Sequence, residues 1–136
     1  MNTLIVMVGL PRAGKTTAAK TLGCPIVNTD AIREVLCGSR RLTDQETTVW
    51  QLVDLMIKAL FRAGHETVIL DACNVTRSRR DAFYWRDWRT LFWFINTPVH
   101  TCIARAGENE ELAGIIRQMS ENFEPLGRSE AEWMKA

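Results

Sequence analysis

Apolar residues gather along this chain in short runs, separated by stretches in which they recur at helical spacing. Thr3-Leu4-Ile5-Val6-Met7-Val8 is a continuous apolar run, the signature of a strand buried on both faces of a parallel sheet. Thr16 to Leu22 follows as a helix stopped at Gly23. Pro25 to Asn28 reads as a short strand and Ala31 to Leu36 as a brief helix, with Asp30 or Thr29 suited to cap it and Gly38 to end it. Gly38 to Leu42 has the composition of an exposed loop, and Thr43-Asp44-Gln45-Glu46 forms a capping box. The longest helix comes next: Val49, Leu52, Val53, Met56, Ile57 and Leu60 make an apolar stripe that belongs in a core, and Gly64 ends it.

Thr67 to Asp71 is a second buried strand with an acid at its C-terminal end. A turn follows, and Arg77 to Trp88 has a helical pattern with Phe83, Trp85 and Trp88 placed for packing. Leu91 to Ile95 is a third apolar strand. Pro98 stands at the first turn of a helix reaching about Arg105. Gly107-Glu108-Asn109 interrupts it. Glu110 to Phe123 resumes as helix, with acids in its first turn as the macrodipole favours, and Pro125 ends it. The tail shows no clear strand. Strands alternating with helices imply an α/β fold with a small parallel sheet and right-handed crossovers. Ligands of such sheets bind beyond the carboxyl ends of the strands, where Lys15, Asp30, Asp71, Asn74 and Arg105 all fall.

Composition narrows the class without choosing a function. The 136 residues suit one domain, 1–136, and their 46% hydrophobic and 24% charged content is that of a globular protein. A net charge of +1 provides no global basic surface, so nucleic-acid contact has to come from a local arginine cluster. Apolar runs stay well short of the roughly 20 residues that span a bilayer. The first residues lead into a strand without a charged segment or cleavage site, which argues against a signal peptide and for a cytoplasmic setting. Cys24, Cys37, Cys73 and Cys102 form no C-x-x-C pair and read as small buried apolar residues. His65 and His100 have no evident partner and read as structural.

Between the first strand and the first helix lies Gly9-Leu10-Pro11-Arg12-Ala13-Gly14-Lys15-Thr16, which fits G-x-x-x-x-G-K-[ST] at every fixed position. This is the phosphate-binding loop, and the fold it predicts is the P-loop three-layer sandwich. Pro11, Arg12, Ala13, Gly14, Lys15, Thr16 and Thr17 would form the cradle for the phosphates of a nucleoside triphosphate at the positive end of a helix, with the N–H groups supplied by the residues after Pro11. Lys15 would reach the outer phosphates as a point charge, and the Thr16 hydroxyl would ligate Mg²⁺. Asp71 has two readings: holding a magnesium-bound water or orienting Thr16, or bonding the loop backbone as plain architecture.

Proteins with this loop differ in how they activate the attacking oxygen. A guanine-reading N-K-x-D motif is absent, which disfavours a GTPase. Asp71 is followed by Ala72 rather than by a glutamate, so water has no evident base. A kinase needs an acid that takes the proton of a substrate hydroxyl, and arginines that hold phosphates. Asp30 and Arg33, three apart on one short helix beside the loop, have that arrangement. Arg77, Arg79 and Arg80 have the charge to steer an anionic acceptor, though a charge run also serves as a solvated face. A nucleotide-binding regulatory module shares the loop, but Lys15, Thr16, Asp30 and Arg33 together argue against one.

Three segments carry a specific resemblance: Gly9-Leu10-Pro11 with Gly14-Lys15-Thr16-Thr17; Asn28-Thr29-Asp30-Ala31-Ile32-Arg33; and Val68 to Arg77 with Arg79-Arg80. They resemble the P-loop kinases that include the kinase domain of phage polynucleotide kinase, and are similar to zeta-toxin-like and small metabolite kinases. The resemblance covers nearly the whole chain. It implies ATP and Mg²⁺ on Lys15 and Thr16, Asp30 as general base for a 5′-hydroxyl, Arg33 on the neighbouring acceptor phosphate, and Arg105 as a lid arginine. DNA or RNA 5′ ends, nucleotides or other small metabolites are the acceptors it admits. The chain departs from the pattern at Arg12, where glycine is frequent, at Ala13, at Thr29, and at Asn109, where a second lid arginine is expected.

Overall fold

A computed structural model describes residues 1–38, 45–85 and 87–133. Four parallel strands form the sheet: β1 (Asn2–Val8), β2 (Ile26–Asn28), β3 (Thr67–Asp71) and β4 (Trp88–Phe94), in the order β2-β3-β1-β4. Six helices accompany them: α1 (Lys15–Lys20), α2 (Thr29–Cys37), α3 (Glu46–Arg62), α4 (Arg77–Asp81), α5 (Val99–Ala106) and α6 (Glu110–Asn122). The register runs Ile5 to Ile69 and to Leu91, and Asn28 to Asp71. All four strands therefore end at the same edge, next to the loop between β1 and α1.

The apolar run of β1 divides between two faces, as strand geometry requires. Leu4, Val6 and Val8 pack with Val49, Val53 and Ile57 of α3, and with Ile32, Phe83, Trp88 and Phe92. Ile5 and Met7 face the other way, against Ala19, Leu22 and Trp133. Helices, sheet and helices thus make the three layers of a P-loop sandwich. The pair α5 and α6 forms a separate cluster that reaches the loop through Leu10 and Ala13. Of the α3 stripe, Val49, Val53 and Ile57 are buried and Leu52 and Leu60 partly so, while Met56 is 40% exposed.

Four expectations are corrected. The helix at Arg77 ends at Asp81, and Trp88 opens β4 opposite Asn2. Six of the seven residues from Trp88 to Phe94 (all but Arg89) are aromatic, β-branched or leucine, and pairing along the whole length of β1 outweighs the helical spacing. Helix α2 is capped by neither Thr29 nor Asp30 but by Asn28, whose side-chain oxygen accepts from the Ala31 amide at 2.9 Å. Cys37, His65 and His100 are exposed rather than buried or structural. Arg80 is fully buried instead of lying on a solvated face. Thr43 and Asp44 of the capping box, and Arg40 and Arg41 of the preceding loop, lie outside the described residues; Gln45 makes no side-chain cap bond. Among the described residues the tail adds one isolated bridge, Phe92 to Glu132, with the Phe92 amide donating to the Ala131 carbonyl at 2.8 Å.

Candidate active site

The loop is shaped by two residues in the left-handed region. Gly14 (φ 100°) opens α1, and Arg12 (φ 68°) takes a conformation that a side chain disfavours, which accounts for glycine being frequent at that position. A Cβ on Gly9 would stand 3.0 Å from the Ile95 carbonyl and 3.4 Å from the Lys15 stem, so the start of the loop admits no side chain without movement. The connection after β4 braces the loop: the Thr97 hydroxyl donates to the Ala13 carbonyl at 2.7 Å. Arg105, exposed near the end of α5, donates to the Arg12 carbonyl at 3.0 Å.

Lys15 is buried, and its ammonium donates to the Leu10 carbonyl at 2.7 Å. Its stem thus stays under the loop while its charge is available at the loop's centre. The Thr16 hydroxyl donates to Asp71 Oδ2 at 2.5 Å. The same oxygen accepts from the Asn28 side-chain amide at 2.9 Å. Asp71 therefore orients Thr16, and Asn28 joins this acid to α2 by capping that helix with its other side-chain atom. Burial pushes the Cys73 thiol up, the Lys15 ammonium opposes that rise, and the Asp30 and Asp71 carboxylates add to it.

Asp30, with a side chain 53% exposed, faces Arg33 at 2.8 Å. Arg33 also makes a two-point bond with Glu46 of α3: Nε to Oε2 at 2.8 Å and Nη2 to Oε1 at 2.7 Å. Hydrogen bonding to Glu46, against the effect of burial, keeps Arg33 more basic than an ordinary arginine, and Asp30 adds to this. Asn74 is buried in a left-handed turn (φ 49°), where it donates to the Met7 carbonyl at 2.8 Å and stitches β1 to β3; its Oδ1 is buried without a protein partner. Arg77 is half-exposed and donates to the Ser129 hydroxyl at 2.7 Å.

A model of one family matches residues 4–126, nearly the whole length of the chain. The chain belongs to the AAA_33 family of AAA domains. No curated protein matches it. Among solved structures, this AAA_33 chain is similar to one in a Pnkp1/Rnl/Hen1 complex, at 26% identity and a TM-score of 0.68, over 76% of this chain and 38% of that one. It therefore spans well under half the length of that neighbour. It is also similar in fold to a gluconokinase from Sinorhizobium meliloti 1021, at 20% identity and a TM-score of 0.63, over 96% and 80% of the two chains. A shikimate kinase from Acinetobacter baumannii has the same fold at 16% identity and a TM-score of 0.57, over 89% and 75%. The P-loop kinase resemblance and the P-loop sandwich expected from the motifs are thereby borne out.

Several participants of this AAA_33 site escaped the sequence reading. Asn28 carried a cap signal but was read as the end of a strand. Glu46 was seen only as a helix-capping acid, and its bond to Arg33 spans 13 residues with no periodic mark. Thr97 has no motif at all. Among the described residues no helix is long and apolar enough to cross a membrane.

Proposed function

We propose that the chain acts as one cytoplasmic kinase domain, residues 1–136, transferring the γ-phosphoryl group of ATP to a hydroxyl, with the 5′-hydroxyl of a polynucleotide or nucleotide as preferred acceptor. The observation that carries this reading is the shared oxygen of Asp71. It ties the loop hydroxyl of Thr16 and the helix bearing Asp30 to one carboxylate, so that a phosphate cradle and a candidate base open at one edge of the sheet.

Backbone N–H groups from Arg12 to Thr17 hold the triphosphate, with Pro11 shaping the loop before them, and Lys15 turns from the Leu10 carbonyl to its outer oxygens. The Thr16 hydroxyl gives its hydrogen to Asp71, which leaves its lone pairs to ligate Mg²⁺, and Asp71 would hold a magnesium-bound water. When bound, Mg²⁺ neutralises charge on the phosphates. Asp30 accepts the proton of the acceptor hydroxyl while that oxygen forms its bond to phosphorus and the bond to the leaving ADP oxygen breaks. Arg33 holds Asp30 in place, and Arg105, already at the loop, compensates charge on the phosphoryl group in flight.

Likeness to a chain of the Pnkp1/Rnl/Hen1 complex supports a nucleic-acid acceptor. One observation favours a second reading, a small metabolite: Arg33 is already matched by two carboxylates, so an acceptor phosphate has to displace one of them to reach it. A radiolabel-transfer panel with ATP and Mg²⁺ decides, using hydroxyl-ended DNA and RNA, nucleosides, nucleotides and sugars. Transfer to sugars alone would establish the second reading; transfer to nothing would remove both.

A further inference from the structure

Arg33 has five N–H groups, and three of them are committed. Glu46 takes the Nε and Nη2 edge, the geometry in which a guanidinium grips a carboxylate or a phosphate most firmly, and Asp30 takes Nη1. The Arg33 side chain is only 14% exposed, while the Glu46 carboxylate, at 38%, remains open to solvent and to exchange with another anion. On its other side Glu46 lines a cavity of about 480 Å³ with Thr47, Trp50, Gln51, Asp54 and Arg79. There the Arg79 guanidinium lies 3.9 Å from the centre of the Trp50 ring. Burial lowers the basicity of Arg79 while Glu46 raises it, so Glu46 stands within electrostatic reach of two arginines.

We propose that Glu46 is the specificity-determining residue of the acceptor site, competing with the acceptor's phosphate for Arg33. The inference rests on the proposed kinase reading and deepens it. When a phosphate takes the Nε and Nη2 edge of Arg33, the displaced carboxylate turns across the cavity toward Arg79. Glu46 thereby sets how strongly the site prefers an acceptor with a phosphate beside the reacting hydroxyl over one without. A strong pair compresses that preference, and a weakened pair widens it.

The test compares adenosine 3′-monophosphate with adenosine on the wild type, Glu46→Gln, Arg33→Ala and the double variant, measuring both calorimetric binding and kcat/KM for transfer from ATP. Glu46→Asp, which keeps the charge but shortens the reach, serves as a second variant in case the glutamine protein folds poorly. The preference for the phosphorylated acceptor is expected to rise about tenfold or more in Glu46→Gln. It should rise less in Glu46→Asp and vanish whenever Arg33 is absent. An unchanged preference, a fall caused by loss of Arg33's anchor, or no binding of adenosine 3′-monophosphate to any variant overturns the proposal. A widened binding preference without transfer to either compound leaves the competition standing and removes the kinase reading. Transfer with an unshifted preference does the reverse.

Discussion

In the proposed kinase reading, Lys15 and Thr16 are the residues on which the chemistry depends most directly, because each would meet phosphate or metal. Lys15→Ala or Thr16→Ala is expected to abolish transfer and leave the far-ultraviolet circular dichroism unchanged; a Lys15→Ala protein with wild-type kcat/KM would end the kinase reading. Asp30 holds no core contact and half of its side chain meets solvent. Asp30→Asn should lower kcat by ~10²-fold or more, the scale for losing a positioned base, with little change in ATP affinity. Wild-type turnover in that variant would send the search for the base to Asp71. Lys15 and Thr16 stand out in the sequence because a phosphate loop needs fixed residue types at fixed spacing, and Asp30 through its place beside Arg33 on the short helix that follows. Glu46 and Asn28 were not legible as site residues, since a side chain reaching across the fold leaves no spacing rule. The bond of Arg33 to Glu46 exists only once α2 and α3 are packed.

Among the elements, strands and long helices followed from apolar periodicity, and the misreading fell where two patterns competed. Phe83, Trp85 and Trp88 suit a helix by spacing, yet the Trp88 indole donates to the Phe83 carbonyl and the Thr90 hydroxyl inside a turn that leads into β4. Arg80 reads as a surface charge because nothing local announces Glu130, fifty residues on. The two form a fully buried ion pair, with Nε to Oε2 at 2.6 Å, and Arg80 also donates to the Asn74 carbonyl at 3.1 Å. This pair ties α4 to the C-terminal segment. Leaving one partner behind is severe, so Glu130→Ala should lose about 3–5 kcal/mol in urea unfolding. Burial disfavours the ionised Glu130, but hydrogen bonds from Arg80 and the Gly127 amide outweigh it and hold the carboxyl below its ordinary range. A depressed acid contributes stability that is fully present above its unfolded value, about 4.3, and is lost as pH falls through the lower folded value. Unfolding free energy should therefore drop below about pH 4 more steeply in the wild type than in Glu130→Gln. Parallel pH profiles would show that the pair is not ionised as the geometry requires.

The molecule as a whole carries a net charge of only +1, spread over a fold whose functional groups converge at one edge of the sheet. Few backbone phosphates would be neutralised, so lengthening an oligonucleotide acceptor from two residues to about twenty should change kcat/KM by less than roughly tenfold, with a shallow salt dependence. A steep loss of activity with added salt would reveal a binding track that the described residues do not contain. Convergence at that edge has another consequence. Asp71 Oδ2 takes one hydrogen bond from the loop, through Thr16, and one from the residue that caps α2, Asn28. Any turn of the Thr16 hydroxyl toward a ligand alters the acceptor that Asn28 sees, and Asn28 holds the first turn of α2. If the proposed kinase reading holds, ATP and acceptor would be coupled through this one atom, and by thermodynamic reciprocity each would change the other's affinity by the same factor. Asn28→Ala should lose about 1 kcal/mol of stability as a cap. It should also let ATP bind equally well with and without acceptor: two half-sites that no longer converse.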